Sequence, residues 1–394
     1  MTRVLLIAST TGYQIRSFAD AAAALGIELV LATDRCHVLE NPWGDHAVAI
    51  ADGLDALDAR GPFDGIVAVG DQPALIAAQA AERLGLRFSP PAAVAAAKNK
   101  FLARRKFRDA GLLVPAFELA SPDTNPPYPC VLKPTSLSAS RGVIRANNPP
   151  EFREALARIE KILEREADRS IQVESFIPGR EFALEAILTR GQSQPLALFD
   201  KPDPLDGPYF EETIYVTPSR EPSEIQGAIL ETTQRAAAAL GLTDGPIHAE
   251  MRVNPSGVWM LEIAARPIGG LCSRVLRFEG DRTLEEMLLR HAIGEDVSGF
   301  SLQPGAHGVM MIPIPSAGVY TGVDGVEEAR ATPGIEDVII TAKEGQTMLP
   351  LPEGASYLGF LFARADTAGA VEQSLRRAHR QLRFQLAAVL PVVK

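Results

Sequence analysis

One short stretch constrains this chain more than any other. His248-Ala249-Glu250-Met251-Arg252-Val253 is followed by Asn254-Pro255-Ser256-Gly257, then by Val258-Trp259-Met260-Leu261-Glu262-Ile263. Two alternating runs around a proline–glycine turn predict an antiparallel hairpin. A three-residue loop, Pro255-Ser256-Gly257, suits a type I turn closed by glycine in the left-handed region. That loop sets Asn254 opposite Val258, Arg252 opposite Met260, Glu250 opposite Glu262 and His248 opposite Ala264. Ala249, Met251, Val253, Trp259, Leu261 and Ile263 then share an apolar face. His248, Glu250, Arg252 and Glu262 share the other. A slip of one residue would turn the glutamates onto the apolar face.

Two glutamates directly opposite each other repel. Either Arg252 alone compensates, or a hard divalent cation takes both carboxylates, as Mg²⁺ does when it leaves its other positions to water and phosphate. Arg266 and Gly269-Gly270 follow directly. Arginine suits planar, bidentate anion contacts, and paired glycines admit close backbone approach to a ligand. The plain alternative for Arg266 is a surface ion pair, which is worth little.

The rest of the chain supplies a frame for this hairpin. Apolar runs at 4–8, 28–32 and 65–69 alternate with helical stretches at 18–25 and 73–84, each stopped by a glycine. Strand–helix alternation predicts a parallel sheet with crossover helices. The first loop, Ser9-Thr10-Thr11-Gly12-Tyr13, carries one glycine where a dinucleotide fingerprint needs three, and Asp34 follows the second strand. That disfavours NAD or FAD and a nicotinamide oxidoreductase. Ser89-Pro90-Pro91 marks a boundary before a helix at 92–110. Strands are expected at 130–133, 142–144, 171–177 and 181–188, with helices at 152–167, 225–240, 284–292 and 370–387. The stretch 200–212 reads as a loop or lid, with Lys201 either projecting from that lid or standing as a solvated loop residue.

Charge and cysteines narrow the function classes. With 394 residues the chain predicts about two to four lobes. A net charge of −10 argues against nucleic acid as the main partner. Cys36, Cys130 and Cys272 lie far apart, with neither a CxxC pair nor a zinc spacing. They read as reduced thiols in a cytoplasmic protein. No apolar run is long enough to span a bilayer.

Four blocks in order resemble the ATP-grasp superfamily, and within it carboxylate–amine ligases of the L-amino-acid ligase (dipeptide synthetase) and carnosine-synthase type. They are Lys98-Asn99-Lys100, Cys130-Val131-Leu132-Lys133-Pro134, Gln172-Val173-Glu174-Ser175-Phe176-Ile177-Pro178-Gly179-Arg180-Glu181-Phe182, and the hairpin with Glu262-Ile263-Ala264-Ala265-Arg266-Pro267-Ile268-Gly269-Gly270. The resemblance covers about residues 1–294. It implies an α/β chain, α+β in its ATP-binding part, with a Rossmann-like parallel-sheet domain at 1–91. An ATP-grasp small subdomain with linker helix would follow at 92–177, a large subdomain carrying metal and catalytic residues at 178–299, and a C-terminal subdomain at 300–394.

The resemblance also implies site roles. Lys100 and Lys133 would contact ATP phosphates, although Lys100 also reads as a solvated helix residue. The loop 135–142, with Ser138, Ser140 and Gly142, would cover the phosphates, with serines where the family often has glycines. Glu174 would accept from the adenine amino group, Phe176 and Ile177 would hold the ring, and Glu181 would accept from the ribose. Glu250 and Glu262 would ligate Mg²⁺ or Mn²⁺. Ala264 stands where many ATP-grasp enzymes place an asparagine ligand, which puts the second metal ion in question. Arg266 would steady an acyl phosphate. His248 would orient Glu250 or a substrate carboxylate, or serve as a hydrogen-bonded structural histidine. The implied reaction joins a small-molecule carboxylate to an amine at the expense of ATP, releasing ADP and phosphate. Bicarbonate carboxylases, purine-pathway ligases and a non-catalytic nucleotide-binding module are the alternatives. Neither nucleic acid nor membrane is expected as a partner, and a homodimer is the default expectation.

Overall fold

The computed structural model describes residues 1–9, 14–33, 47–49, 54–58, 60–121 and 123–388, with backbone only at 47–49. Most of the first loop, together with Asp34 and Cys36, lies outside the described residues. Strands Arg3–Ala8, Glu28–Thr33, Ala47–Ala49 and Gly65–Val69 form one parallel sheet, with Arg3–Ala8 between Glu28–Thr33 and Gly65–Val69. The run Val4-Leu5-Leu6-Ile7 is buried on both faces, as a sheet covered from two sides requires. Helices Ile15–Leu25 and Asp71–Leu84 cover it and end at Gly26 (φ 65°) and Gly85 (φ 68°), both left-handed.

The linker expected as one helix at 92–110 is two, Pro91–Lys98 and Lys100–Asp109. Asn99 breaks it with extended backbone (φ −97°, ψ 109°), and its side chain caps the second helix by accepting from the Leu102 amide at 3.0 Å. The break puts Lys100 in the first turn, where its amide donates to the Thr135 carbonyl at 2.9 Å. Next comes a four-stranded antiparallel sheet, ordered Phe117–Leu119, Ile171–Ser175, Cys130–Pro134, Ile144–Ala146. Helix Pro149–Ile162 closes its core with Phe152, Ala155 and Ile159 against Cys130, Leu132 and Val173.

The largest layer is an eight-stranded sheet. Its order is Gly257–Ala264, Gly245–Asn254, Arg180–Thr189, Gln192–Lys201, Ile214–Thr217, Ala306–Ile312, Gly359–Ala365, Ile335–Ile340, every pair antiparallel. The boundary expected at 299/300 therefore falls between strands of one sheet, since Ile214–Thr217 pairs with Ala306–Ile312. The end of the chain also differs from expectation. Helix Ala368–His379 stops, and Arg383–Ala387 is a strand on Gly318–Asp324, where Phe384 packs on Tyr320 at 6.5 Å between ring centroids. Among the described residues, no helix is long and apolar enough to cross a membrane.

The hairpin keeps its critical pairs and changes its turn. His248 faces Ala264 and Glu250 faces Glu262, as expected. Asn254, however, pairs with Gly257 across a two-residue turn, and Arg252 faces Trp259. A bulge between Glu250 and Met251 absorbs the difference, leaving Leu261 without a partner. The bulge also reassigns the faces. Val258 and Met260 join Ala249, Met251, Val253 and Ile263 in the core, whereas Leu261 turns to the cleft with Glu262.

Candidate active site

The parallel sheet, the four-stranded sheet and the eight-stranded sheet converge on a cleft of about 740 Å³. That volume lies in the usual range for a small-molecule site. All twelve side chains expected to act there line it: Lys100, Lys133, Ser138, Ser140, Glu174, Phe176, Ile177, Glu181, His248, Glu250, Glu262 and Arg266. Gly142 does not line it. Its amide donates to the Pro352 carbonyl at 2.9 Å, and a Cβ there would sit 2.8 Å from the Pro134 ring. With φ of 74°, this glycine serves a tight turn, and contact with phosphate is not its place in this geometry.

One wall is a buried cation cluster. The Lys133 ammonium lies 2.5 Å from Glu174, whose other oxygen accepts from Arg104 Nε at 2.6 Å and also from Gln172. Glu174 is thus a counter-ion with both oxygens engaged, and acceptance from adenine would use their remaining lone pairs. Burial, then Arg104 and Lys100, hold the Lys133 ammonium below the usual lysine range despite Glu174. Arg104 went unnoticed in the sequence, yet it lies on the same helix face as Ala103 and Phe107 and is 1% exposed. An arginine on an apolar helix stripe is the signal that could have found it.

The floor is a carboxylate cluster around Lys201. Its ammonium lies 3.0 Å from Glu181, 3.1 Å from Glu250 and in contact with Glu212. Lys201 ends a strand and is buried, so its reading as a solvated loop residue is wrong. Burial alone would lower its pKa, but Glu212, Glu250 and Glu181 outweigh burial and hold it well above the usual value. Burial and Glu250 push the Glu212 carboxyl up to about 7. Glu181 also accepts from Arg252 Nε at 2.8 Å. His248 bridges Glu185 and Glu250, its Nε2 3.2 Å from Glu250, and these carboxylates raise it to about 9 against the effect of burial. His248 therefore holds Glu250 in place. Glu185 interrupts the apolar run Phe182-Ala183-Leu184-Glu185-Ala186-Ile187-Leu188, a signal the sequence reading passed over.

The third part links the layers. Lys100 donates to the Leu137 carbonyl at 2.6 Å and lies 3.2 Å from Glu262. Arg266 Nε donates to Asp71 at 3.0 Å. Asp71 opens a helix at the carboxyl end of a parallel strand, where open α/β sheets place ligands. Two guanidinium groups approach the Phe176 ring, Arg145 at 4.2 Å and Arg252 at 5.0 Å from its centroid.

Residues 126–275 match the ATP-grasp domain family, and residues 310–387 match the L-amino acid ligase C-terminal domain 2. The chain belongs to the ATP-grasp superfamily, in its L-amino-acid-ligase branch. The second match covers the stretch beyond residue 294, where the sequence blocks run out. Across 98% of this ATP-grasp chain the fold superposes on 99% of the L-amino acid ligase from Bacillus licheniformis, with a TM-score of 0.85 at 24% identity. Phosphoribosylglycinamide synthetase from Anaerococcus prevotii shares the fold with a TM-score of 0.70 at 15% identity, over 98% of this chain and 99% of that one. Among curated relatives, ATP-grasp enzyme fsqD of Aspergillus fumigatus is 26% identical over 318 residues, 66% of this chain and 54% of that one. Alanine--anticapsin ligase of Bacillus subtilis is 26% identical over 221 residues, 49% of this chain and 46% of that one. The ATP-grasp chain thus spans about half the length of these curated relatives.

Proposed function

We propose that this chain is an ATP-dependent ligase that joins the carboxylate of one amino acid to the amine of another, or to a small amine, through an acyl phosphate. The observation that carries the reading is the meeting, in one cleft, of an under-neutralised lysine wall with two facing carboxylates and an anchored arginine. The match of the C-terminal part to an L-amino acid ligase domain supports amino acids as substrates.

In this reading Lys100, Lys133 and the serine loop bind the ATP polyphosphate. Glu174 keeps the Lys133 ammonium aimed, Phe176 and Ile177 flank the adenine, and Glu181 offers remaining lone pairs to the ribose. Glu250 and Glu262 are hard oxygen donors that face each other across the hairpin, a donor set that fits Mg²⁺ or Mn²⁺. When bound, that ion supplies charge neutralisation at the phosphates. Phosphoryl transfer is then a matter of positioning and electrostatics. A substrate carboxylate oxygen bonds to the γ-phosphorus, and the bond to the bridging oxygen breaks to release ADP. The amine nitrogen next bonds to the carbonyl carbon, loses a proton, and phosphate departs. Arg266, fixed by Asp71, is suited to the charge that develops on the carbonyl oxygen.

A screen of amino-acid pairs for ADP release, with mass spectrometry of products, tests the reading. A pair that releases ADP and yields its amide is the expected result. Stimulation by bicarbonate alone would place the chain with carboxylases, and nucleotide binding without any stimulation would make it a binding module.

A further inference from the structure

Glu181, Glu212 and Glu250 each offer an oxygen, and the three oxygens lie within 4.8 Å of one another. Hard divalent ions collect oxygen ligands from such clusters. Here the protein supplies the cation itself. The Lys201 side chain is 3% exposed and its ammonium reaches all three carboxylates. Its three donors match one oxygen from each of the three carboxylates. The surrounding charges complete the balance. Arg252 takes the second oxygen of Glu181 at 2.8 Å, and His248 stands 3.2 Å from Glu250. The Tyr215 ring centroid lies 5.1 Å from the ammonium, which adds a cation–π contact and an apolar flank.

The neighbouring edge of the cleft is different. Glu262 faces Glu250 across the hairpin, and its partner is Lys100 at 3.2 Å, a lysine that also lies along the serine loop. Ala264, two residues on, brings no ligand atom in its side chain. In the proposed assignment one ion would be shared there between Glu250, Glu262 and phosphate. Among the described residues, the one cluster of three or more carboxylates close enough to hold an ion is Glu181, Glu212 and Glu250, which Lys201 already occupies.

We infer that Lys201 is a resident cation that takes the place of a second divalent ion, so that the cleft operates with one metal ion. An ammonium carries a single charge and keeps N···O distances of about 2.7–2.9 Å, longer than the roughly 2.0–2.1 Å of Mg²⁺–oxygen bonds. It is also covalently attached, so it holds Glu212 and Glu250 in place at any metal concentration and through every turnover. Lys201 is thus a positioning residue. The inference rests on the proposed assignment of the single metal to Glu250 and Glu262, and it does not depend on which substrates are joined.

Mn²⁺ titration followed by electron paramagnetic resonance, on the full chain with a non-hydrolysable ATP analogue, counts the ions. One Mn²⁺ per chain is expected for the unmodified protein, two for Lys201→Met, and one again for Lys201→Met combined with Glu212→Gln. Two ions in the unmodified protein, or one in a folded Lys201→Met, would overturn the inference. Lys201→Gln, which keeps a hydrogen-bond donor, is the second variant if Lys201→Met fails to fold, and the same gain is expected. A nucleotide-free melt separates the two readings. Mn²⁺ should raise the melting temperature of the Lys201 variant and leave that of the unmodified protein unchanged, and equal responses would refute the resident cation. Absence of any Mn²⁺ in the unmodified protein with the ATP analogue would instead count against the ligase reading.

Discussion

Two buried lysines share the cleft and stand in opposite electrostatic surroundings. Lys133 has one carboxylate, Glu174, and divides it with Arg104. Lys201 has three carboxylates, of which it shares Glu181 with Arg252 and Glu250 with His248. Burial disfavours both ammonium groups, yet the Lys133 pKa falls and the Lys201 pKa rises. Neighbouring charge, not depth, decides the direction. The wall at Lys133 is short of negative charge, and in the proposed reaction an incoming polyanion would complete it. The floor at Lys201 already holds its own cation among its carboxylates. One cleft therefore separates a place for phosphate from a place for positioning.

Four outcomes break or sharpen that contrast, beginning with the largest. Glu262→Ala removes the carboxylate where the two regions meet, and Mg²⁺-dependent ADP release should fall to background in a coupled assay. Retained turnover would remove the hairpin from metal binding. Lys201→Met leaves buried carboxylates without their counter-ion, which typically costs about 3–5 kcal/mol. Urea unfolding should show that loss, and a change below about 1 kcal/mol would mean that the floor is not balanced by Lys201. Lys133→Ala should act on ligand more than on fold, because Arg104 keeps Glu174 paired. A charged hydrogen bond is worth about 1.5–3 kcal/mol, so titration calorimetry should find ATP bound roughly 10- to 150-fold more weakly. Unchanged affinity would take Lys133 out of the phosphate site.

The smallest effect extends the contrast to a basic group without a carboxylate of its own. His291 is pushed down to about 4, by burial first and then by Arg87. Between about 6.5 and 4 the unfolded chain binds a proton that the folded chain does not. Stability should therefore decline as pH falls through that window, and His291→Gln should flatten the decline in unfolding measurements at successive pH values. An unchanged slope would mean that His291 titrates normally.

The contrast also separates what could be read in the sequence from what could not. The hairpin was legible from its turn residues and two-residue alternation, and Glu250 came out opposite Glu262 because the shorter turn and the bulge offset each other. The bulge beside them was not, since Trp259 and Leu261 are as apolar as Val258 and Met260, and either set could face the core. Lys133 was legible at the end of an apolar strand. Lys201 was hidden by Pro202 and Pro204, which give its surroundings the look of a loop, although the strand extends to Lys201 itself. Alanine-rich sequence concealed the helix break at Asn99, where a single side-chain cap decides the geometry. Arg104, Asp71, Glu185 and Glu212 act through partners distant in sequence. Arg104 and Glu174 are 70 residues apart and Asp71 and Arg266 are 195 apart. Local patterns carry no record of such pairs.

The central claim is that a carboxylate is activated as an acyl phosphate in this cleft. Its most direct test is isotope transfer, with an amino-acid substrate labelled with ¹⁸O in its carboxylate and turned over with ATP and the productive amine. The account predicts one ¹⁸O in the released phosphate, alongside ADP and the amide. Unlabelled phosphate, or release of AMP and pyrophosphate, would contradict it.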